Sequence, residues 1–307
     1  MAPDPTLSRY VVVSPVKDEE DYIERTLVSV ISQTIRPVKW VIVDDGSSDS
    51  TPQILQTYAE KHHWIQVLRI ERGSLRDLGV TEIRAFAEGY KTRGNVEYDL
   101  IAKRDCDLEL PAEYFERLIF EFQKRRRLGI ASGVYLEKRG LEWIPVPMPD
   151  YHAAGASKVV RRECFESIGG FVLHRGWDTI DEIKALMRGW ETTHFPALSF
   201  YHLRCEGSAM GSRRTNLLHG EIYYLAGGGV AFLSLKLLHR CFRSRPYVLG
   251  GLDMLWGYLR CVLSGKPRGV NVEEARFYRK LLNCRLLDQT RRFAQNTRVP
   301  VPWRGGE

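Results

Sequence analysis

Val41-Ile42-Val43-Asp44-Asp45-Gly46-Ser47-Ser48-Asp49-Ser50-Thr51 decides the fold class of this 307-residue chain. An apolar run that ends at two carboxylates and a turn glycine reads as a buried parallel strand stopping at a ligand-facing loop. Pro52 then suits the first position of a helix, capped by Thr51 or Ser50. The same pattern recurs where Leu100-Ile101-Ala102 leads into Asp105-Cys106-Asp107. In open α/β sheets, ligands bind outside the carboxyl ends of the strands, so two acidic strand ends in one half of the chain imply one polar site. Carboxylates so gathered suit a hard divalent cation, Mg2+ or Mn2+, which would in turn hold a phosphate.

Outward from this stretch, strands and helices alternate. Tyr10 to Ser14 reads as a strand closed by Pro15, and Glu20 to Ser32 puts Ile23, Leu27, Val30 and Ile31 on one helical face. Gln66 to Ile70 is a third strand, Thr81 to Lys91 a helix, and Tyr98 to Ala102 a fourth strand. The alternation predicts a mostly parallel, doubly wound sheet flanked by helices. Pro111 to Arg127 begins acidic and ends basic, which matches a helix dipole. Gly129 to Leu136 reads as a strand, Trp143 to Asp150 with its prolines as a loop, and Phe195 to His202 as a further strand.

The pattern changes near Glu206. Ser208 to Asn216 is polar and basic and reads as a mobile loop. Ile222 to Leu238 and Tyr247 to Leu263 are apolar and aromatic, interrupted by Gly227-Gly228-Gly229, Lys236, Asp253 and Arg260. Apolar helices edged with basic residues can lie in an anionic membrane interface, and a helical subdomain packed on the sheet fits the same pattern. The expected division is 1–205 as the nucleotide and acceptor-binding domain and 206–307 as a helical C-terminal region.

Composition narrows the classes. Apolar residues are 44% and charged residues 27%, ordinary for a globular chain. No run reaches the roughly 18 to 20 apolar residues of a membrane span. The first nine residues are too short and polar for a signal peptide. A cytoplasmic location is expected, peripheral on the inner face of the cytoplasmic membrane if the C-terminal helices dock there. The six cysteines are scattered without a C-x-x-C pair, which supports neither zinc nor a disulfide framework. The net charge of +7 admits an anionic partner. Nucleic acid is not expected, because no aromatic platform interleaves with the basic residues.

Ser14-Pro15-Val16-Lys17-Asp18-Glu19, the Asp44-Asp45-Gly46-Ser47 segment and Asp105-Cys106-Asp107 together resemble family 2 glycosyltransferases with the GT-A fold, a Rossmann-like architecture. The likeness continues through Gly155-Ala156-Ser157-Lys158, Ile168-Gly169-Gly170-Phe171 and Gly176-Trp177-Asp178-Thr179 to Tyr201-His202-Leu203-Arg204. It covers about 200 of 307 residues. The resemblance implies a nucleotide-sugar donor whose nucleoside meets Pro15, Glu19, Asp44 and Asp45, with Asp45 on the nucleobase. It implies metal at the D-x-D pair Asp105 and Asp107, with His202 as a third ligand and Asp105 also beside the nucleotide. Arg204, Arg213 and Arg214 are candidate diphosphate contacts, and Arg76 in the third loop is a candidate nucleotide contact.

The family carries an acid followed by Asp at the start of its base helix. Here Trp177 replaces the first acid, and Asp178 keeps the general-base position. Asp181 lies on the same helical face as Asp178, three residues on, and is the alternative base. A base fits inverting transfer to an acceptor hydroxyl. The implied setting is bacterial cell-surface polysaccharide or glycoconjugate synthesis, with a glycan or lipid-linked acceptor. Two rivals stay open: transfer to a polyprenyl phosphate, and a retired membrane-associated module that binds nucleotide without turning it over.

Overall fold

Strands that are apolar on both faces need cover on both sides, and the first unit of the chain is built to supply it. The computed structural model describes residues 9–71, 80–204, 211–243 and 246–296, leaving aside the side chains of 243 and 286–296. The chain divides into two compact units, Met1–Gly211 and Ser212–Glu307.

In the first unit, β1 (Tyr10–Val16), β2 (Lys39–Asp44), β3 (Ile65–Arg69) and β4 (Leu100–Arg104) alternate with α1 (Ile23–Ile31), α2 (Thr51–Lys61) and α3 (Thr81–Thr92). All three pairings in the order β3-β2-β1-β4 are parallel. There follow β5 (Leu108–Glu109), α4 (Tyr114–Lys124), β6 (Leu128–Arg139), β7 (Glu142–Pro145), β8 (Ser157–Arg161), α5 (Arg162–Ser167), α6 (Trp177–Met187) and β9 (Glu191–His202). The full order is β3-β2-β1-β4-β8-β6-β9-β5, with β7 paired to β6. Beyond β4 the sheet is mixed: β8 runs antiparallel to both β4 and β6, while β9 is parallel to β6. The parallel character expected from the alternation therefore belongs to the first four strands. Residues 143–150, expected as a loop, begin instead within β7, which pairs with β6 before the prolines end it.

Strand alternation sends side chains into two cores. Tyr10, Val12, Trp40 and Ile42 pack with Leu27, Leu55, Phe115 and Phe122 from α1, α2 and α4. Val11, Val13, Val41 and Val43 pack with Ile83, Phe86, Phe165 and Trp177 from α3, α5 and α6. This three-layer arrangement leaves the carboxyl ends of β1, β2 and β4 together at one edge.

The second unit contains α7 (Ser212–Leu225), α8 (Val230–Arg243), α9 (Leu249–Leu263) and α10 (Val272–Asn296). Helix α7 begins at Ser212, inside the stretch expected to be a loop; residues 205–210 lie outside the described residues. Helices α7 and α9 cross through glycine. A Cβ on Gly220 would lie 2.0 Å from the Met254 carbonyl oxygen, and one on Gly257 would lie 2.1 Å from that of Leu217.

Candidate active site

Two loops at the carboxyl edge are stitched by hydroxyl and carboxylate side chains that accept from backbone N–H groups. Ser47 Oγ accepts from Asp18 (3.0 Å), Thr51 Oγ1 from Glu19 (2.9 Å) and Asp49 Oδ2 from Glu20 (3.1 Å). In return Asp18 Oδ1 accepts from the Ser48 N–H at 2.8 Å. The Ser/Asp/Thr run after β2 thus fixes the loop after β1, the one that carries Glu19. Asp44 is committed to this scaffold: it accepts from Ser47 N–H at 2.8 Å and from Arg69 Nη1 at 3.1 Å. Asp45 follows it, buried, with its N–H donating to Val16 C=O at 2.9 Å. Pro15 lies within β1, and Glu19 takes the guanidinium of Arg204, which also stacks 5.2 Å from the Tyr22 ring.

The Asp105-Cys106-Asp107 turn is held from both sides. The Asp105 N–H donates to Ala156 C=O at 2.8 Å, and the Leu203 N–H donates to Asp107 C=O at 2.9 Å. Thr26 Oγ1 of α1 lies 2.8 Å from the Cys106 carbonyl oxygen, and buried Arg104 reaches Leu108 C=O at 2.8 Å. Burial pushes the Cys106 thiol well up, which fits a packed, unreactive side chain. The sequence-predicted trio separates into two sets. Asp107 meets His202, with Oδ2 3.4 Å from Nε2, and His202 Nδ1 lies 3.8 Å from Glu137 Oε1. Asp105 instead bonds Lys103, whose side chain is 1% exposed.

These neighbours set the proton affinities in opposite directions. Burial, opposed by Lys103 and reinforced by Glu82 and Asp107, pushes Asp105 up to about 7. Burial acts the same way on Asp107, but the His202 hydrogen bond and the charges of His202 and Arg204 outweigh it and hold Asp107 low. Asp107 Oδ1 is buried with no hydrogen-bond partner among the described residues. A hard carboxylate oxygen left orphaned beside an imidazole fits a divalent cation. No group of three or more candidate ligands is found among the described residues.

Helix α6 starts from Gly176, whose φ of +78° suits glycine. Asp178 sits in its first turn, part-buried. A Cβ on Gly155 would lie 3.5 Å from Asp178 Oδ2, an ordinary contact distance, so the two positions are neighbours. Asp181 is placed differently from its helical neighbour. Its side chain is 0% exposed and accepts from Lys158 Nζ at 3.0 and 3.1 Å. Burial pushes its carboxyl up despite Lys158. Enclosed in this way, Asp181 anchors the helix and is closed to solvent. The same ammonium reaches Glu182 Oε1 at 3.2 Å and the Asp178 carbonyl oxygen at 2.7 Å.

Three residues of the site were not singled out by sequence reasoning. Lys103 and Lys158 are buried strand lysines, each about 5 Å from the Trp177 ring centroid. Glu82 of α3 accepts from Trp177 Nε1 at 3.2 Å and from Lys103 at 3.1 Å. The available signal was a lysine inside each apolar strand, where a lone charge needs a partner. Arg76 lies outside the described residues. Arg213 and Arg214, expected on a loop, stand in the first turn of α7 in the second unit, and Arg213 bonds Asp253 at 3.0 and 3.1 Å.

Residues 11–178 match the model of Glycosyl transferase family 2. The glycosyltransferase GlyA of Streptococcus pneumoniae is 30% identical over 84 residues, 27% of this chain and 12% of that protein. The poly-beta-1,6-N-acetyl-D-glucosamine synthase of Staphylococcus epidermidis is 28% identical over 117 residues, 38% of this chain and 26% of that protein. The chain thus spans a third or less of the length of these curated relatives. A mannosyltransferase from Pyrobaculum calidifontis, solved with GDP-Man and Mn2+, superposes with a TM-score of 0.57 at 18% identity, covering 86% of this chain and 90% of its own. Fold, ordered motifs and family match agree, and the chain belongs to glycosyl transferase family 2, with the GT-A fold.

Proposed function

We propose that the chain is a metal-dependent, inverting glycosyltransferase that moves a hexosyl or deoxyhexosyl group from a nucleoside-diphosphate donor to an acceptor hydroxyl. The setting would be bacterial cell-surface polysaccharide or glycoconjugate synthesis, in line with the name of the Staphylococcus epidermidis relative. The observation that carries the reading is a convergence at one sheet edge. The Asp105 N–H bonds Ala156 C=O, and a Cβ on the neighbouring Gly155 would lie 3.5 Å from the Asp178 carboxylate.

In this reading Pro15, Glu19 and Asp45 receive the nucleoside, with Asp44 holding their loop. Asp107 and His202 would hold the divalent cation, which when bound neutralises charge on the departing diphosphate. Asp105, fixed by Lys103, faces the ribose and sugar. Glu82, 38% exposed and fixed by Trp177 and Lys103, is a second carboxylate for sugar hydroxyls. Asp178 takes the proton of the acceptor hydroxyl as that oxygen bonds the anomeric carbon. The bond from that carbon to the diphosphate oxygen breaks on the opposite side, and the nucleoside diphosphate leaves with the electron pair. Asp181 and Lys158 position the helix that carries Asp178.

Product anomeric configuration, followed by proton NMR from a donor of known configuration, tests the reading. Inversion is expected. Retention would require an enzyme nucleophile or front-face attack and would remove Asp178 from the base role.

A further inference from the structure

The second unit carries an apolar surface that it does not bury. On α9, Met254, Tyr258 and Cys261 face inward and are buried. On the opposite side Leu252, Trp256 and Leu263 are 53%, 55% and 75% exposed. With Leu249 and Leu259 they recur at intervals of three and four residues, an unbroken stripe along the helix. Helix α8 repeats the pattern, with Leu235, Leu238 and Phe242 at 46%, 55% and 74% exposure. A helix that is apolar on every side requires cover on every side.

Charge narrows what the cover is. Residues 212–307 hold 17 Lys and Arg against 6 Asp and Glu, a balance of +11, whereas residues 1–211 hold 28 against 32. The chain's whole positive excess therefore lies in the unit with the exposed stripes. Arg260, with its side chain 59% exposed, adjoins Leu259, and exposed Lys266 and Arg268 follow the end of α9. A second copy would bring an equal positive balance to the contact and repel it. Nucleic acid would leave the aliphatic side chains of the stripes, Leu235, Leu238, Leu252 and Leu263, uncovered. An anionic lipid surface supplies an apolar interior and negative headgroups together.

We propose that the second unit docks peripherally on anionic lipid, with the outer faces of α8 and α9 in the boundary between headgroups and acyl chains. Among the described residues no helix is long and apolar enough to cross a membrane, so the contact lies in the plane of the interface. It does not depend on the donor site of the first unit.

Sedimentation of the full chain with phosphatidylcholine vesicles, with and without phosphatidylglycerol, tests this. Binding only to the phosphatidylglycerol vesicles is expected. The double variant Phe242→Ser/Trp256→Ser alters two exposed positions, and circular dichroism checks its folding. It should bind at least about tenfold more weakly. In the wild type, brominated lipid should quench a fluorescence component that Trp256→Phe removes. Three results would overturn the proposal: no binding to phosphatidylglycerol vesicles, equal binding by the double variant, or a dimer in light scattering that the same substitutions abolish.

Discussion

Replacing Lys158 with methionine strikes the least visible support of the site. The Lys158, Asp181 and Glu182 side chains are each 0% exposed, and the ammonium bonds both carboxylates as well as the Asp178 carbonyl oxygen at 2.7 Å. Methionine fills a similar volume but leaves two buried carboxylates without their cation. Breaking a buried pair from one side costs about 3–5 kcal/mol, because the remaining charge is uncompensated. Lys158→Met should therefore lose about that much in urea denaturation followed by tryptophan fluorescence. The loss should depend on pH. Burial already pushes the Asp181 carboxyl up, and Lys158 is what restrains it. Without Lys158 its folded pKa rises further above its unfolded value. The stability of such a group is complete below the unfolded pKa and is lost as pH rises through the folded one. Because the wild-type carboxyl itself stands at about 8, the two proteins part above that value, and the deficit should be smaller near about pH 6 than near about pH 9. Adding Asp181→Asn should recover part of it. A deficit under about 1 kcal/mol, or one that ignores pH, would refute the view that Lys158 neutralises this cluster.

Asp178→Asn should lower kcat by about 100-fold or more with donor KM little changed, measured by nucleoside-diphosphate release; full activity would exclude it as the base. Glu82→Gln should weaken binding of the nucleotide sugar about tenfold while free nucleoside diphosphate binds as before, by calorimetry. His152 stands 2.9 Å from Glu182, and burial, which lowers its pKa, is outweighed by that carboxylate, so the pKa is raised. Its stabilising contribution is complete below about pH 6.5 and fades as pH rises through the folded value. His152→Gln should accordingly cost stability at about pH 6 and little at about pH 8, read from denaturation midpoints. Gly257→Leu places side-chain atoms where the Leu217 carbonyl lies, and should melt the α7–α9 pairing, seen as lost helical circular dichroism.

The first half of the fold was legible because its strands are buried on both faces. Val11 to Val13 and Trp40 to Val43 have no polar alternation to confuse with an edge strand, and each run ends where the chain must turn. The mixed half was harder to read. The connection from β4 to β5 is only Asp105-Cys106-Asp107, with no helix to reverse direction, and β7 is a short strand whose composition is that of a loop. In the site, Asp44, Asp105, Asp107 and Asp178 announced themselves by following apolar runs or by order of motifs. Their partners did not. Lys158 and Glu82 act across 20 to 95 residues of sequence, where periodicity carries no information, and Lys103, only two residues from Asp105, sits within a strand whose apolar character masks it. Asp181 was legible as a neighbour of Asp178 on one helical face, yet a helical wheel cannot tell a buried face from an open one. Trp177 read only as a missing acid, whereas its indole N–H holds Glu82 and its ring lies against two lysines.

The central claim is a donor site that needs both nucleotide and metal. The most direct measurement is thermal unfolding of the chain against UDP, GDP, dTDP and their sugars, with and without Mn2+. One nucleotide class should raise the transition only when Mn2+ is present, and Asp107→Asn should abolish the shift. If no nucleotide raises the transition with Mn2+ present, or if the shift survives Asp107→Asn unchanged, the site is not the one described.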